Sequence, residues 1–184
     1  MHILITGATG FIGNAVLRAL PRQGHRITAC CRHPADLPIA GPSIKPLSVD
    51  FNAAAGVEYW LPHLNGVDAI VNCVGIIAES GGASFAQLHA RAPAALFRAG
   101  AQAGVKKIVQ LSALGADGRA ESAYHLSKKA ADDALRALPL DWFVLQPSIV
   151  YGDGAQSGGL FHALAALPLH PLPDGGRQLL QPIH

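Results

Sequence analysis

The chain has 184 residues, half of them hydrophobic and 14% charged, enough to bury a sizeable core in one domain. Its 14 Lys and Arg stand against 12 Asp and Glu without a basic cluster or stripe, which argues against a nucleic-acid partner. No apolar run reaches the roughly 18 residues of a membrane span, and the N-terminus lacks the basic region and cleavage site of a signal peptide, so the cytoplasm is the expected compartment.

The first element is a strand over His2 to Thr6, where Ile3, Leu4 and Ile5 form the near-continuous apolar run of a strand buried on both faces. Gly7, Gly10 and Gly13 follow at three-residue spacing in the string TGATGFIG, and Phe11, Ile12, Ala15, Val16, Ala19 and Leu20 then repeat at helical spacing. The glycines permit a tight turn, the approach of a pyrophosphate to the backbone and close helix–strand packing, while the first-turn amides of the helix form an anion site. A glycine triplet alone is weak evidence. Here a second strand, Arg26 to Cys31, places it inside one βαβ unit.

That second strand ends in CCRHP. An acidic residue near this point would bond the ribose hydroxyls of NAD; Arg32 stands there instead, and a guanidinium suits the 2′-phosphate of NADP. A solvent-facing Arg before Pro34 is the plainer alternative. A third strand over Ser43 to Val49 leads to Asp50, a loop-start or N-cap residue on its own evidence. Ala53 to Leu64 reads as a short, irregular helix, Val67 to Ala78 contains the strongest strand, and Phe85 to Ala103 is an Ala-rich helix carrying His89. A lone His on a helix is more often hydrogen-bonded structure than chemistry. The other eight histidines show no HExxH or paired spacing, so no metal is expected. Cys30, Cys31 and Cys73 form no CxxC pair and fall in predicted strands, as reduced buried thiols do.

Lys107 to Leu111 is the fifth strand and delivers Ser112 at its carboxyl end. Tyr124 and Lys128 follow in the string YHLSK, on a helix capped by Ser122 and stopped at Pro139, and at i and i+4 they share one face. A phenol titrates near pH 10, too high for proton exchange at neutrality; a neighbouring ammonium and an oxidised nicotinamide would bring it down. Ser112 can donate a hydrogen bond to a substrate oxygen. The same spacing arises by chance, with Tyr124 a surface residue, Lys128 a solvated charge and Ser112 merely ending its strand. A sixth strand over Asp141 to Val150 leads into the segment Pro147 to Gly152. Six strands alternating with helical segments require an α/β fold, a doubly wound parallel sheet with right-handed crossovers in the order 3-2-1-4-5-6.

The glycine spacing, the Ser112, Tyr124 and Lys128 set, and the PxxxYG string resemble the short-chain dehydrogenase/reductase superfamily in its extended and atypical branch. LSALGADGRAESAYHLSK and LQPSIVYGDG are most similar to the group that holds epimerase-like bacterial proteins and the Rossmann-like accessory subunit of respiratory complex I. The resemblance implies a Rossmann domain over residues 1–150 that binds NADP, or alternatively NAD. Gly7, Thr9, Gly10, Phe11, Ile12 and Gly13 would lie at the phosphates, Asp50 at the adenine, and Asn72, Cys73, Val74 and Gly75 along the ribose. Pro147, Ile149 and Val150 would lie beside the nicotinamide, with Tyr124 and Lys128 touching the cofactor as well as serving with Ser112 as the catalytic triad. His89 stands where relatives often carry Asn, against a proton relay through that position. The implied function is hydride transfer to or from a carbonyl or hydroxyl of a small-molecule substrate, a nucleotide sugar being one candidate; the alternative is a non-catalytic NADP(H)-binding structural or sensing module. Residues 151–184, rich in Gly and Pro with a helix over Leu160 to Leu167, read as the start of an incomplete substrate lobe. Such a cleft would be completed by further chain or by association with another copy, with the tail mobile or packed against a neighbour.

Overall fold

A computed structural model of the chain describes residues 1–152, 154–155, 163–169, 172–177, 179 and 181–183. It contains six parallel strands, β1 (His2–Thr6), β2 (Arg26–Cys31), β3 (Ile44–Ser48), β4 (Ala69–Asn72), β5 (Lys107–Leu111) and β6 (Asp141–Leu145), in the order β3-β2-β1-β4-β5-β6. This is the doubly wound order the strand spacing predicts, with the sequence reversal falling between β1 and β4. Register is continuous through the centre: Thr6 pairs with both Cys30 and Asn72, and Asn72 with Gln110. Pro46 is tolerated within β3 because that strand forms an edge.

Among the described residues, the helices that accompany the sheet are α1 (Phe11–Ala19), α2 (Val57–Trp60), α3 (Ala92–Gln102) and α4 (Ala123–Arg136). Alternation along β1 divides the core in two. Ile3 and Ile5 pack with Leu17 of α1 and Ile27, while Leu4 packs with Trp60, Leu96, Phe97, Ile108 and Leu135. The irregular helix expected over Ala53 to Leu64 is the single turn of α2 followed by a 3₁₀ turn at Leu61–His63, where Pro62 has no amide to donate.

The helix expected over Phe85 to Ala103 is two pieces. Ala86–Arg91 is a π-helical turn in which the Ala92 amide reaches back to the Gln87 carbonyl, and α3 starts after it. Pro93 accounts for the wider turn, because it has no N–H to give the His89 carbonyl and its ring crowds that carbonyl.

The chain divides into two compact units, Met1–Gln146 and Pro147–His184. The sixth strand, expected to run to Val150, closes at Leu145 instead, two residues before Pro147, which has no amide to give a neighbouring strand. In the second unit Val150 and Ile183 form a parallel bridge, flanked by Tyr151 N–H donating to the Ile183 carbonyl and Ile183 N–H to the Ile149 carbonyl, both at 2.9 Å. Residues 163–165 are helical; 160–162 of the expected Leu160 to Leu167 helix, with Gly158, Gly159 and Pro171, lie outside the described residues.

Candidate functional site

The glycine turn follows β1 directly. Gly7 has φ +68°, the left-handed region that disfavours a side chain, and a methyl group there would stand 2.9 Å from the Cys73 carbonyl carbon. A methyl at Gly13 would stand 2.0 Å from the Gly7 carbonyl oxygen, so this glycine lets α1 close on the turn. Gly10 is the roomier position, exposed, with its nearest obstacle 3.3 Å away. Helix α1 begins there with no side-chain cap and no acidic residue in its first turn. Its first amides lack intrahelical partners and carry the positive end of the helix dipole, so the residues present fit a pyrophosphate. Thr9 is exposed beside Gly10, and Phe11 and Ile12 are half-buried on the first turn.

The other expected cofactor contacts differ in what their side chains do. Arg32 is exposed just past β2 and forms no ion pair among the described residues. Asp50 is exposed and starts a turn, accepting from the Asn52 amide at 2.9 Å. Asn72 is fully buried: Thr6 Oγ1 donates to its Oδ1 at 2.5 Å, and its Nδ2 donates to Gln110 Oε1 at 2.6 Å. That ladder crosses the carboxyl ends of β1, β4 and β5 and leaves Asn72 to hold the sheet. Cys73 is half-buried, and burial pushes its thiol up to about 11. Pro147, Ile149 and Val150 belong to the second unit.

Helix α4 carries the remaining groups. Ser122 caps it, its Oγ accepting from the His125 amide at 3.2 Å. Its inward face holds Lys128, Ala131, Asp132 and Leu135, an apolar stripe interrupted by two charges. Lys128 Nζ donates to the Leu111 carbonyl at 3.1 Å and the Val74 carbonyl at 3.4 Å, and a methyl at Gly75 would lie 3.0 Å from it. Burial lowers the ammonium to about 8, while the Asp132 carboxylate works against that fall.

Ser112 is buried, and its Oγ donates to Asp132 Oδ2 at 2.6 Å. Gln146 Nε2 donates to the same oxygen at 3.4 Å, and Asp132 Oδ1 is buried without a partner. Tyr124 is half-buried, and burial pushes its phenol up from the ordinary value. With the Lys128 ammonium on the two carbonyls, the expected lowering by that neighbour is not present in the chain by itself.

Sequence reasoning missed Asp132, Ser127 and the part His89 plays. Asp132 lies one turn beyond Lys128, so the i+4 spacing was available as a signal. His89 is buried among Ile76, Ser127 and Tyr124, and no sequence spacing announces that contact.

No helix among the described residues is long and apolar enough to cross a membrane, and no group of His, Cys, Asp or Glu among them could hold a metal. The fold and the glycine turn together define a dinucleotide-binding α/β protein. The NAD(P)H-binding family model matches residues 7–164, and the chain belongs to that family. It is 30% identical to a ceramide reductase of Caulobacter vibrioides over 92% of this chain and 53% of that protein. It is 30% identical to a 3β-hydroxysteroid dehydrogenase/Δ5→4-isomerase of Mycobacterium tuberculosis over 60% of this chain and 31% of that one. The chain thus spans about half the length of the first of these curated relatives and less of the second. Among solved structures it resembles the oxidoreductase ylbE of Lactococcus lactis, with TM-score 0.70 and 26% identity over 85% of this chain and 73% of that one. MoeE5, solved with UDP-glucuronic acid and NAD, matches with TM-score 0.73 and 25% identity over 89% and 60%.

Proposed function

We propose that the chain is the cofactor domain of an NADP(H)-dependent oxidoreductase of the short-chain dehydrogenase/reductase type, acting on a hydroxyl or carbonyl group. One observation carries this reading: the glycine turn, the end of β4 and Lys128 are contiguous. Gly7 packs on the Cys73 backbone, the Val74 carbonyl holds the Lys128 ammonium, and Gly75 leaves room for it. A dinucleotide bound along that line supplies the hydride donor or acceptor. The α1 amides would hold its pyrophosphate and Arg32 its 2′-phosphate. Cys73, Val74 and Gly75 would lie along a ribose, with the buried Asn72 fixing that segment from the sheet. Asp50 would approach the adenine. Lys128 would exchange its carbonyl partners for ribose hydroxyls, and Tyr124 would pass a proton to or from the substrate oxygen.

For Ser112 the geometry favours a supporting part, since its one proton is committed to Asp132. The loops after β4 and β5 present Ile77 and Leu114, 70% and 56% exposed. Ile76 bonds to His89 and Gly115 lies against His125, and the rings of both histidines meet Tyr124. Exposed apolar side chains on these two loops favour an apolar alcohol or ketone, in keeping with the ceramide and hydroxysteroid in the curated relatives' names. The engagement of Ser112 also favours a second reading, an NADP(H)-binding module without turnover.

The test follows NADPH oxidation with a long-chain ketone, a 3-ketosteroid and UDP-glucuronic acid in turn. Turnover of an apolar ketone that Tyr124→Phe abolishes while leaving NADPH affinity unchanged supports the first reading. Turnover of the nucleotide sugar alone replaces the substrate class. Binding without turnover of any of the three leaves the second reading.

A further inference from the structure

His89 is 1% exposed, and each ring nitrogen meets a specific partner. Nε2 lies 2.9 Å from the Ile76 amide, a group that only donates, so Nε2 accepts. Nδ1 lies 3.0 Å from Ser127 Oγ. The Ser127 hydroxyl gives its own proton to the Tyr124 carbonyl at 2.7 Å, so its oxygen is free to accept. Both partners therefore assign the same tautomer, neutral and protonated on Nδ1. The result is an unbroken chain of donors, Ile76 N–H to His89, His89 Nδ1–H to Ser127, Ser127 O–H to Tyr124.

The ring plane of His89 serves a second purpose. Phe85 stacks on it with centroids 5.2 Å apart, and the Tyr124 ring stands edge-on to both, 5.4 Å from His89 and 5.7 Å from Phe85. Such edge-to-face pairs hold a ring's orientation as well as burying it. Tyr124 is thus fixed twice by one residue, at its carbonyl through Ser127 and at its ring directly. The π turn that Pro93 imposes is the segment from which His89 makes both contacts.

We propose that His89 is a positioning residue that ties the turn after β4 to the first turn of α4 and so sets the Tyr124 phenol beside the cofactor, a role that rests on the reading of Tyr124 as the proton-transfer residue. His89 never touches the reacting atoms. It acts by keeping the phenol and the Val74–Gly75 segment in one rigid frame.

The experiment follows the Tyr124 phenol by NMR of the chain labelled at the tyrosine Cζ carbons, with the Tyr124 resonance identified by its loss in Tyr124→Phe. Burial holds this phenol up, so releasing the ring lowers its titration midpoint toward 10. The midpoint should fall in both His89→Leu and Ser127→Ala, with no further fall in the double variant. His89→Gln, which keeps one acceptor and one donor, should restore most of the wild-type value. If His89→Leu lowers the melting temperature and leaves the Tyr124 midpoint in place, His89 is only a core residue and the positioning role is wrong. Added NADP⁺ separates the two readings. If it lowers the wild-type midpoint while neither His89→Leu nor Ser127→Ala does so, the site stands and the clamp falls. If the variants move the midpoint and NADP⁺ does not, the clamp stands and Tyr124 is not at the cofactor.

Discussion

Ser112 gives its hydroxyl proton to the buried carboxylate of Asp132 at 2.6 Å, and the other carboxylate oxygen has no partner among the described residues. Removing the hydroxyl leaves Asp132 with only the 3.4 Å bond from Gln146. An unsatisfied buried acceptor costs about 1–3 kcal/mol. Ser112→Ala should therefore lower the unfolding free energy by that amount, read from the urea midpoint at unchanged slope, and Asp132→Asn should cost less because the amide sheds the buried charge. A Ser112→Ala variant of unchanged stability and lost turnover would return Ser112 to the substrate.

His89 makes the fold sensitive to acid. Burial and the nearby Lys128 ammonium lower its pKa from 6.5 to about 3, so between those values the unfolded chain binds a proton that the folded chain does not. Stability falls as the pH drops through that window, by roughly 4–5 kcal/mol at its lower end. His89→Gln, which cannot titrate, should unfold less readily than the wild type below pH 5 when the two are compared by urea titration at stepped pH. Parallel curves would mean that His89 titrates normally.

Lys128 has the same sign at the other end of the scale. Its ammonium is lowered from 10.5 to about 8, so the unfolded chain binds the extra proton between pH 8 and 10.5, and stability rises with pH across that range. Relative to Lys128→Met, the wild type should gain up to about 3 kcal/mol over this interval, measured as the difference in urea midpoints. A difference that stays flat would place the ammonium in water.

The glycines separate folding from binding. Gly13→Ala sets a methyl against the Gly7 carbonyl and should destabilise by about 3 kcal/mol, the upper end for overpacking. Gly10→Ala meets one atom at 3.3 Å and should melt close to the wild type. On the proposed reading its methyl would stand where the phosphates approach, so NADPH affinity should fall at least tenfold, about 1.4 kcal/mol. Equal effects of both variants on melting and binding would mean that the turn is structural at both positions.

The strand order was legible because apolar runs of β1, β2, β4 and β5 alternate with helical spacing, and the first glycine turn marks where winding reverses. The start of α4 was legible too, since Ser122 is a local cap. What stayed hidden depends on approach between distant segments. His89 and Ser127 lie 38 residues apart and meet only because the π turn before α3, the first turns of α4 and the segment after β4 converge. The π turn was missed because Pro93 sits in an Ala-rich stretch that otherwise reads as one helix. Asn72 looked like a cofactor contact from its place at the strand's end, yet its side chain spans three strands, which only the register reveals.

The central claim is tested most directly by titrating the chain with NADPH and with NADH, following reduced-nicotinamide fluorescence, in the wild type and in Arg32→Ala. A charge-assisted pair between Arg32 and a 2′-phosphate is worth on the order of 1.5–3 kcal/mol. NADPH should therefore bind at least tenfold more tightly than NADH, and Arg32→Ala should erase that preference while leaving NADH affinity unchanged. NADH binding as tight as NADPH in the wild type would contradict the Arg32 assignment, and binding of neither would contradict the reading of the site.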